Sequence, residues 1–302
     1  MTKVTELGDV RDMKRFTFSF LFAASYTLVL ASPRVTDIGS FGGYATALAG
    51  YGSGSSSQLG DNIEASMLVA GKHDAHWSFF TTGGASASAN FSDPTVTGHG
   101  SAIGSMGVFK VGGTASSLNS TFRYGGGSGG WDDTWMINKA GLAGTTGELD
   151  FSIHVDGTMS CTGPTGGDDM RIQAYKDTSP GQSKDYNLTS GNGTSTLNVD
   201  DDPIFKVSFK YGTAFKLGVF LEGYAGSRSE FFVPGTSSAQ LDFTNTIKWN
   251  GITNILDASS HPVTGYSITT ASGMNWAQPV PEPATYLALG AGLVAFRRRR
   301  RK

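Results

Sequence analysis

Over residues 204–224 apolar and polar residues alternate almost without a break. Phe205, Val207, Phe209 and Tyr211 fall on one side, with Lys206, Ser208 and Lys210 on the other. A period of two marks a strand with one face buried and the other wet. After Gly212-Thr213 the alternation resumes at Phe215, Leu217, Val219 and Leu221, so the two halves predict a hairpin. Residues 149–155 alternate likewise and run into Asp156-Gly157, a turn dipeptide. Ala239 to Phe243 repeats the pattern, Ile247-Lys248-Trp249 extends it, and residues 263–270 supply a closing strand. Shorter runs at 64–70, 76–81, 108–111, 121–124 and 170–175 add strands between Gly-rich turns, and 177–196 reads as a polar loop or two weak strands. No apolar stripe of helical period occurs between residues 33 and 278. The pattern predicts an all-β fold, an antiparallel β-sandwich of jelly-roll or lectin-like kind. One such domain is expected over 61–278, after a Gly/Ser-rich lead-in at 33–60.

The two ends obey other rules. Met13-Lys14-Arg15 opens a positive stretch, 16–30 is apolar, and Ala31 offers a small residue for cleavage, so 1–32 reads as a leader and secretory signal peptide. Met13 is the natural start of that signal, which is expected to be helical. At the other end Pro281-Glu282-Pro283 precedes an apolar run at 284–296 and a basic block, Arg297, Arg298, Arg299, Arg300, Arg301 and Lys302. Thirteen helical residues rise only about 20 Å against roughly 30 Å of hydrocarbon. A short transmembrane helix of this kind suits transient insertion in a membrane better than permanent residence. The basic block stays cytoplasmic by the positive-inside rule, which puts the body on the far side.

Charge sharpens the export reading. Setting aside 1–31 and 281–302 leaves 13 basic and 21 acidic residues, and an acidic body argues against nucleic acid as a partner. The single cysteine, Cys161, excludes an internal disulfide. The 42 glycines are about twice the usual share, while 19 Phe, 10 Tyr and 5 Trp supply apolar area for a core.

The series Val280-Pro281-Glu282-Pro283-Ala284-Thr285, the short apolar span and the terminal arginine cluster together resemble the PEP-CTERM sorting signal. The leader is expected to engage the Sec translocon and to be cut by signal peptidase at Ala31. The resemblance implies export across the inner membrane of a Gram-negative bacterium, recognition of Pro281, Glu282 and Pro283 by an exosortase, and removal of the tail during delivery to the cell surface or extracellular matrix. Association with exopolysaccharide or biofilm is a further implication. A second likeness covers Gln240-Leu241-Asp242-Phe243-Thr244-Asn245-Thr246, then Ile252, Asp257, Pro262-Val263 and Ala271-Ser272-Gly273. These are similar to the closing strands of sandwich domains that stand upstream of such tails.

Candidate chemistry in the body is thin. His73 and His76 are three apart, which on a strand puts them on opposite faces, so no metal site is expected there. Asp132-Asp133, Asp168-Asp169 and Asp200-Asp201-Asp202 are oxygen-rich and permit a structural Ca²⁺ without the spacing of an EF-hand loop. Gly125 to Gly130 lacks the lysine and following helix of a phosphate loop, and no Gly-x-Ser-x-Gly elbow stands between strand and helix. Trp131 and Trp135 are candidate platforms for stacking on a sugar ring. The expectation is a non-enzymatic exported protein with no cofactor. The alternatives are a lectin-like carbohydrate-binding module, or a secreted glycoside hydrolase using two carboxylates.

Overall fold

The computed structural model describes residues 41–52 and 71–281, apart from 82, 95, 119–121, 165, 178, 191–192 and 228–234. The expected signal helix, Ala31, the run at 64–70 and the apolar span at 284–296 lie outside the described residues. Among the described residues no helix is long and apolar enough to cross a membrane.

In chain order the strands are β1 (Phe41–Gly52), β2 (Gly71–Phe80), β3 (Gly84–Asp93), β4 (Val96–Ser105), β5 (Val108–Leu118), β6 (Phe122–Asn138) and β7 (Thr146–Gly163). They continue with β8 (Gly166–Lys176), β9 (Ser179–Thr189), β10 (Gly193–Asp201), β11 (Ile204–Lys210), β12 (Phe215–Ser227), β13 (Thr236–Leu256) and β14 (Ser267–Thr270). Two antiparallel sheets result. The first runs β2-β1-β6-β12-β8-β9, with β14 also on β6; the second runs β10-β7-β13-β5-β4-β3, with β11 also on β7. The inner faces form one core that includes Trp131, Ile137, Leu149, Phe151, Leu217, Leu241 and Trp249. The all-β, antiparallel expectation is met, in a form consistent with a sandwich.

Three local expectations change. The alternating stretches around Gly212 are not a hairpin: β11 pairs with β7 in the second sheet and β12 pairs with β6 and β8 in the first. Alternation reports which face is apolar, not which sheet a strand joins. Gly212, at φ +74°, turns the chain, and its N–H donates to Ile137 O at 2.9 Å while Tyr211 N donates to Thr145 O at 3.0 Å. Those bonds carry the chain from one sheet to the other.

Asp156-Gly157 makes no turn, since β7 runs straight through it. A Cβ on Gly157 would collide with the Phe243 ring, so the glycine makes room for an aromatic of β13. Finally, Phe41–Gly52, within the expected lead-in, is a strand of the first sheet between β2 and β6.

The glycine run of β6 belongs to the sheet as well. Trp131, Trp135 and Ile137 point inward, and so do the odd glycines 125, 127 and 129 before them. A Cβ on Gly125 would sit inside the van der Waals shells of His99 O and Thr114 O, and one on Gly127 only 2.6 Å from Thr46 O. At this end Ala47 and Ala49 of β1 meet Ala87 and Ala89 of β3. The sandwich is therefore thin where Gly and Ala face each other and thick where tryptophans do. The even glycines serve the outer face: Tyr44 lies over Gly130 at 3.0 Å and Tyr224 over Gly126 at 2.8 Å, measured from the Cβ each glycine lacks.

Candidate functional site

The sequence-predicted sorting motif begins where the described fold ends. Pro281 is exposed and is the last described residue; Glu282, Pro283 and the block Arg297, Arg298, Arg299, Arg300, Arg301 and Lys302 lie beyond it. The preceding segment is tied down. Trp276 is stacked on Trp131, with ring centroids 4.4 Å apart and planes at 17°. Trp249 of β13 crosses both rings nearly edge-on, and Phe151 of β7 stacks on Trp249 at 4.6 Å.

A hydrogen-bond chain runs through this cluster. Trp276 Nε1 donates to Asp133 Oδ2 at 2.9 Å, Trp249 Nε1 donates to Trp276 O at 2.8 Å, and Val280 N donates to Trp249 O at 3.0 Å. Ser272 also closes on Asp133 through its N–H at 3.1 Å and through its hydroxyl. Trp131 and Trp135 are 1% and 0% exposed. They are core residues with no open ring face, which removes them as sugar platforms. A tryptophan with a partnered or enclosed indole packs the interior, and four of them converge here.

The acidic doublets are divided by the pleat, because neighbouring residues of a strand point to opposite faces. Asp133 faces the core, whereas Asp132 faces outward, 3.7 Å from Lys216 Nζ. Burial, partly offset by Lys216, raises the Asp132 carboxyl to about 6. Asp168 points inward beside Cys161, and burial pushes its carboxyl up to about 8. Asp169 points outward and is raised to about 6, again by burial. Of the third group, Asp201 accepts from Tyr186 Oη at 2.9 Å, while Asp202 faces His154 at 3.0 Å and Asn250 at 3.1 Å. Among the described residues no three His, Cys, Asp or Glu side chains converge as metal ligands.

The outer face of the first sheet carries a charged row that alternation did not show. Cross-strand register aligns Ser128, Glu222, Arg171 and Asp185 on β6, β12, β8 and β9. Arg171 Nε meets Asp185 Oδ1 at 2.5 Å. Glu222 is 3% exposed, and burial holds its carboxyl well above the usual range despite the pull of Arg171. Tyr44, Tyr175 and Phe220 form an apolar cluster on the same face. Glu222 and these three rings are withdrawn from solvent, whereas Asp185 at the β9 end of the row is exposed. A cleft of about 340 Å³ opens elsewhere, between β9 and β11, lined by Gln182, Ser183, Lys184, Pro203, Ile204 and Phe205. It has no carboxylate, so the paired acids of a glycosidase are not found there.

Among the described residues, the outer face of the second sheet carries an uncharged polar strip across six of its strands. One row runs Asn90, His99, Thr114, Gln240, Ser160 and Thr196 across β3, β4, β5, β13, β7 and β10. The row beside it adds Ser92, Thr97, Ser116, Ser238, Thr162 and Thr194. Six strands at about 4.8 Å spacing make a platform on the order of 24 Å wide. Its side chains cross-link laterally, as in Thr162–Ser238 at 2.7 Å and His99–Asn90 at 2.8 Å. Hydroxyls and amides both donate and accept, so the platform can hydrogen-bond to a neutral polar ligand without desolvating a charge. The sequence showed these residues only as small and polar. Register across six strands is what assembles them.

Comparison with curated proteins finds no match. Among solved structures, one described as "Structural basis for the promiscuous specificity of the carbohydrate-binding modules from the beta-sandwich super family" aligns at 9% identity. It covers 59% of this chain and 68% of its own, with a TM-score of 0.15. A likeness that low carries no argument, and the fold rests on its own strand pairing. The PEP-CTERM protein-sorting motif matches residues 279–302, a stretch that starts with Pro279 and Val280, still tied to the fold, and ends with the basic block. Residues 279–302 of this chain are a PEP-CTERM protein-sorting motif, the mark of an exported protein that an exosortase processes.

Proposed function

We propose that this chain is a non-enzymatic surface or extracellular-matrix protein. It leaves the cytoplasm through the Sec translocon, loses its leader to signal peptidase at Ala31, and pauses in the inner membrane on the span at 284–296. An exosortase reads Pro281, Glu282 and Pro283, and the folded body then passes to the surface or matrix, alongside exopolysaccharide. The observation that carries this reading is the meeting point of motif and fold: Val280 is bonded to Trp249, and Pro281 comes at once after it. Division of the acidic doublets between opposite faces supports the non-enzymatic part. Deleting 281–302 tests it. The truncated protein is expected unprocessed in the periplasm or medium, while mass spectrometry of the intact protein shows a mature form cut at both ends. Normal surface delivery of the truncated protein refutes the sorting role.

A second reading, a lectin-like module of jelly-roll type, is favoured by one feature, the hydroxyl and amide platform of the second sheet. It replaces the tryptophans with Gln240, Thr114 and Asn90 as contact groups. Binding to neutral polysaccharide, lost in Gln240→Ala/Thr114→Ala with an unchanged melting temperature, is the expected result. Equal binding by that variant refutes it.

A further inference from the structure

The sorting motif and the fold share residues. Pro279 and Val280 belong to the matched stretch 279–302, and both are described with the body. Trp249 of β13 is their seat: its N–H donates to Gly107 O at 2.8 Å, and its carbonyl accepts from Val280 N at 3.0 Å. That carbonyl is available because Ile153, its register partner on β7, sends its own N–H to Pro203 O at 3.2 Å. Two glycines make room for the returning chain. A Cβ on Gly107, at φ +75°, would lie 2.8 Å from Val280 Cγ2, and one on Gly251, at φ +97°, would lie 3.4 Å from Pro279 Cδ.

The hold is uneven along this segment. Trp276 is 1% exposed, stacked on Trp131 and bonded to Asp133. Beyond it Ala277 and Val280 are half-buried, whereas Gln278 and Pro279 are exposed. Among the described residues the Val280 bond is the only backbone hydrogen bond from 277–280 to a strand. Those residues can peel away while Trp276 stays in place, which is a local opening and not unfolding.

The neighbouring prolines give the Val280 bond a second meaning. In Pro279-Val280-Pro281-Glu282-Pro283 every other residue is a proline, which lacks an N–H and keeps the residue before it extended. The backbone donors of this stretch are therefore Val280 and Glu282. In an extended strand residues two apart aim their N–H groups to the same side. An enzyme that pairs with this segment meets both donors along one edge, and in the fold Trp249 O already holds one of them.

We propose that Val280 is a recognition residue of the sorting signal. The exosortase pairs with its N–H together with that of Glu282, and the Trp249 carbonyl withholds the Val280 donor until 277–280 peel away. Fold and enzyme compete for one N–H, so the cutting rate follows the population of the open form. This rests on the reading that an exosortase processes the chain. Trp249 and Gly107 act through Val280 as positioning residues.

Full-length protein mixed with membranes that contain an exosortase tests this, with the cut followed by mass spectrometry. Val280→Ala keeps the N–H but fills less of the seat, and is expected to be cut several-fold faster than wild type. Val280→Pro also frees the segment but removes the donor, and is expected to be cut about tenfold slower, the worth of one hydrogen bond. A role confined to stability would move both variants the same way. Gly107→Cys/Val280→Cys puts two thiols within disulfide reach, while the native Cys161 is buried. The oxidised pair is expected to resist cutting and to recover on reduction. Without enzyme, the Val280 amide is expected to exchange hydrogen about tenfold faster than the Trp249 amide. Val280→Pro cut as fast as Val280→Ala overturns the proposal, as does equal cutting of the oxidised and reduced pair. A wild-type chain left whole by the same membranes overturns the exosortase reading itself, and this proposal with it.

Discussion

Val280 N donates to Trp249 O at 3.0 Å, and one residue later Pro281 stands exposed at the start of the Pro-Glu-Pro triplet. The sorting signal is thus joined to the folded body by a hydrogen-bonded residue, with no linker between them. Trp249 in turn donates from its indole to Trp276, so the joint rests on the tryptophan cluster.

Trp276→Ala should therefore loosen the joint and the core together. The ring stacked on Trp131 is lost and Asp133 forfeits an indole donor while remaining buried. Large-to-small changes of this kind cost about 3–5 kcal/mol. Urea denaturation is expected to show a drop of that size, and Val280 amide exchange should accelerate.

Glycine substitutions separate close approach from ordinary strand preference. Gly125→Ala forces a methyl into His99 O and Thr114 O, both backbone atoms of the facing sheet, and the expected loss is about 3 kcal/mol or more. Gly193→Ala meets nothing within 4 Å and is expected to be neutral or to stabilise by about 0.4–1 kcal/mol. Equal effects of the two in thermal melts would contradict a sandwich that is thin at its Gly/Ala end.

The Asp168 carboxyl supplies a pH dependence. Its ordinary value near 3.8 is raised to about 8 by burial. As pH rises through that window the unfolded chain ionises while the folded one stays protonated, so stability falls and then levels off above about 8. Asp132 and Asp169, raised to about 6, steepen the lower part of the window. Asp168→Asn should flatten the slope between pH 6 and 8. Urea midpoints at the two ends measure it, and an unchanged slope rules out the buried acid as its source.

Lys216 is the cation that Asp132 has beside it, at 3.7 Å. Lys216→Met leaves that carboxyl buried and unpaired, at a cost of about 3–5 kcal/mol when it is ionised. Because the carboxyl takes a proton near pH 6, the loss should be larger in alkaline than in acidic buffer. Asp132→Asn added to Lys216→Met is expected to recover part of it.

How much the sequence discloses depends on whether a property is local. Face assignments in β7, β11 and β13 are readable because burial imposes a period of two on adjacent residues. The sheet each strand joins is not, and the expected hairpin around Gly212 fails there. Gly157 resembles a turn because glycine answers two different demands, positive φ and close approach, and only the position of Phe243 tells which one applies. Trp131 and Trp135 are by sequence more often core than sugar platform, and only Trp249 and Trp276, far along the chain, decide it by enclosing them. The tail is legible because its three parts act in linear order.

The anchoring of Val280 sets a geometric limit on the chain beyond it. From Val280 to Ala284, the first residue of the apolar run, four residues fully extended reach about 14 Å. With 284–296 in the membrane as proposed, an enzyme that reads the Pro-Glu-Pro triplet while the body is folded works with the sandwich held within about 14 Å of the lipid surface. On the proposed route, whether Trp276 has docked when the cut is made sets the length of that tether.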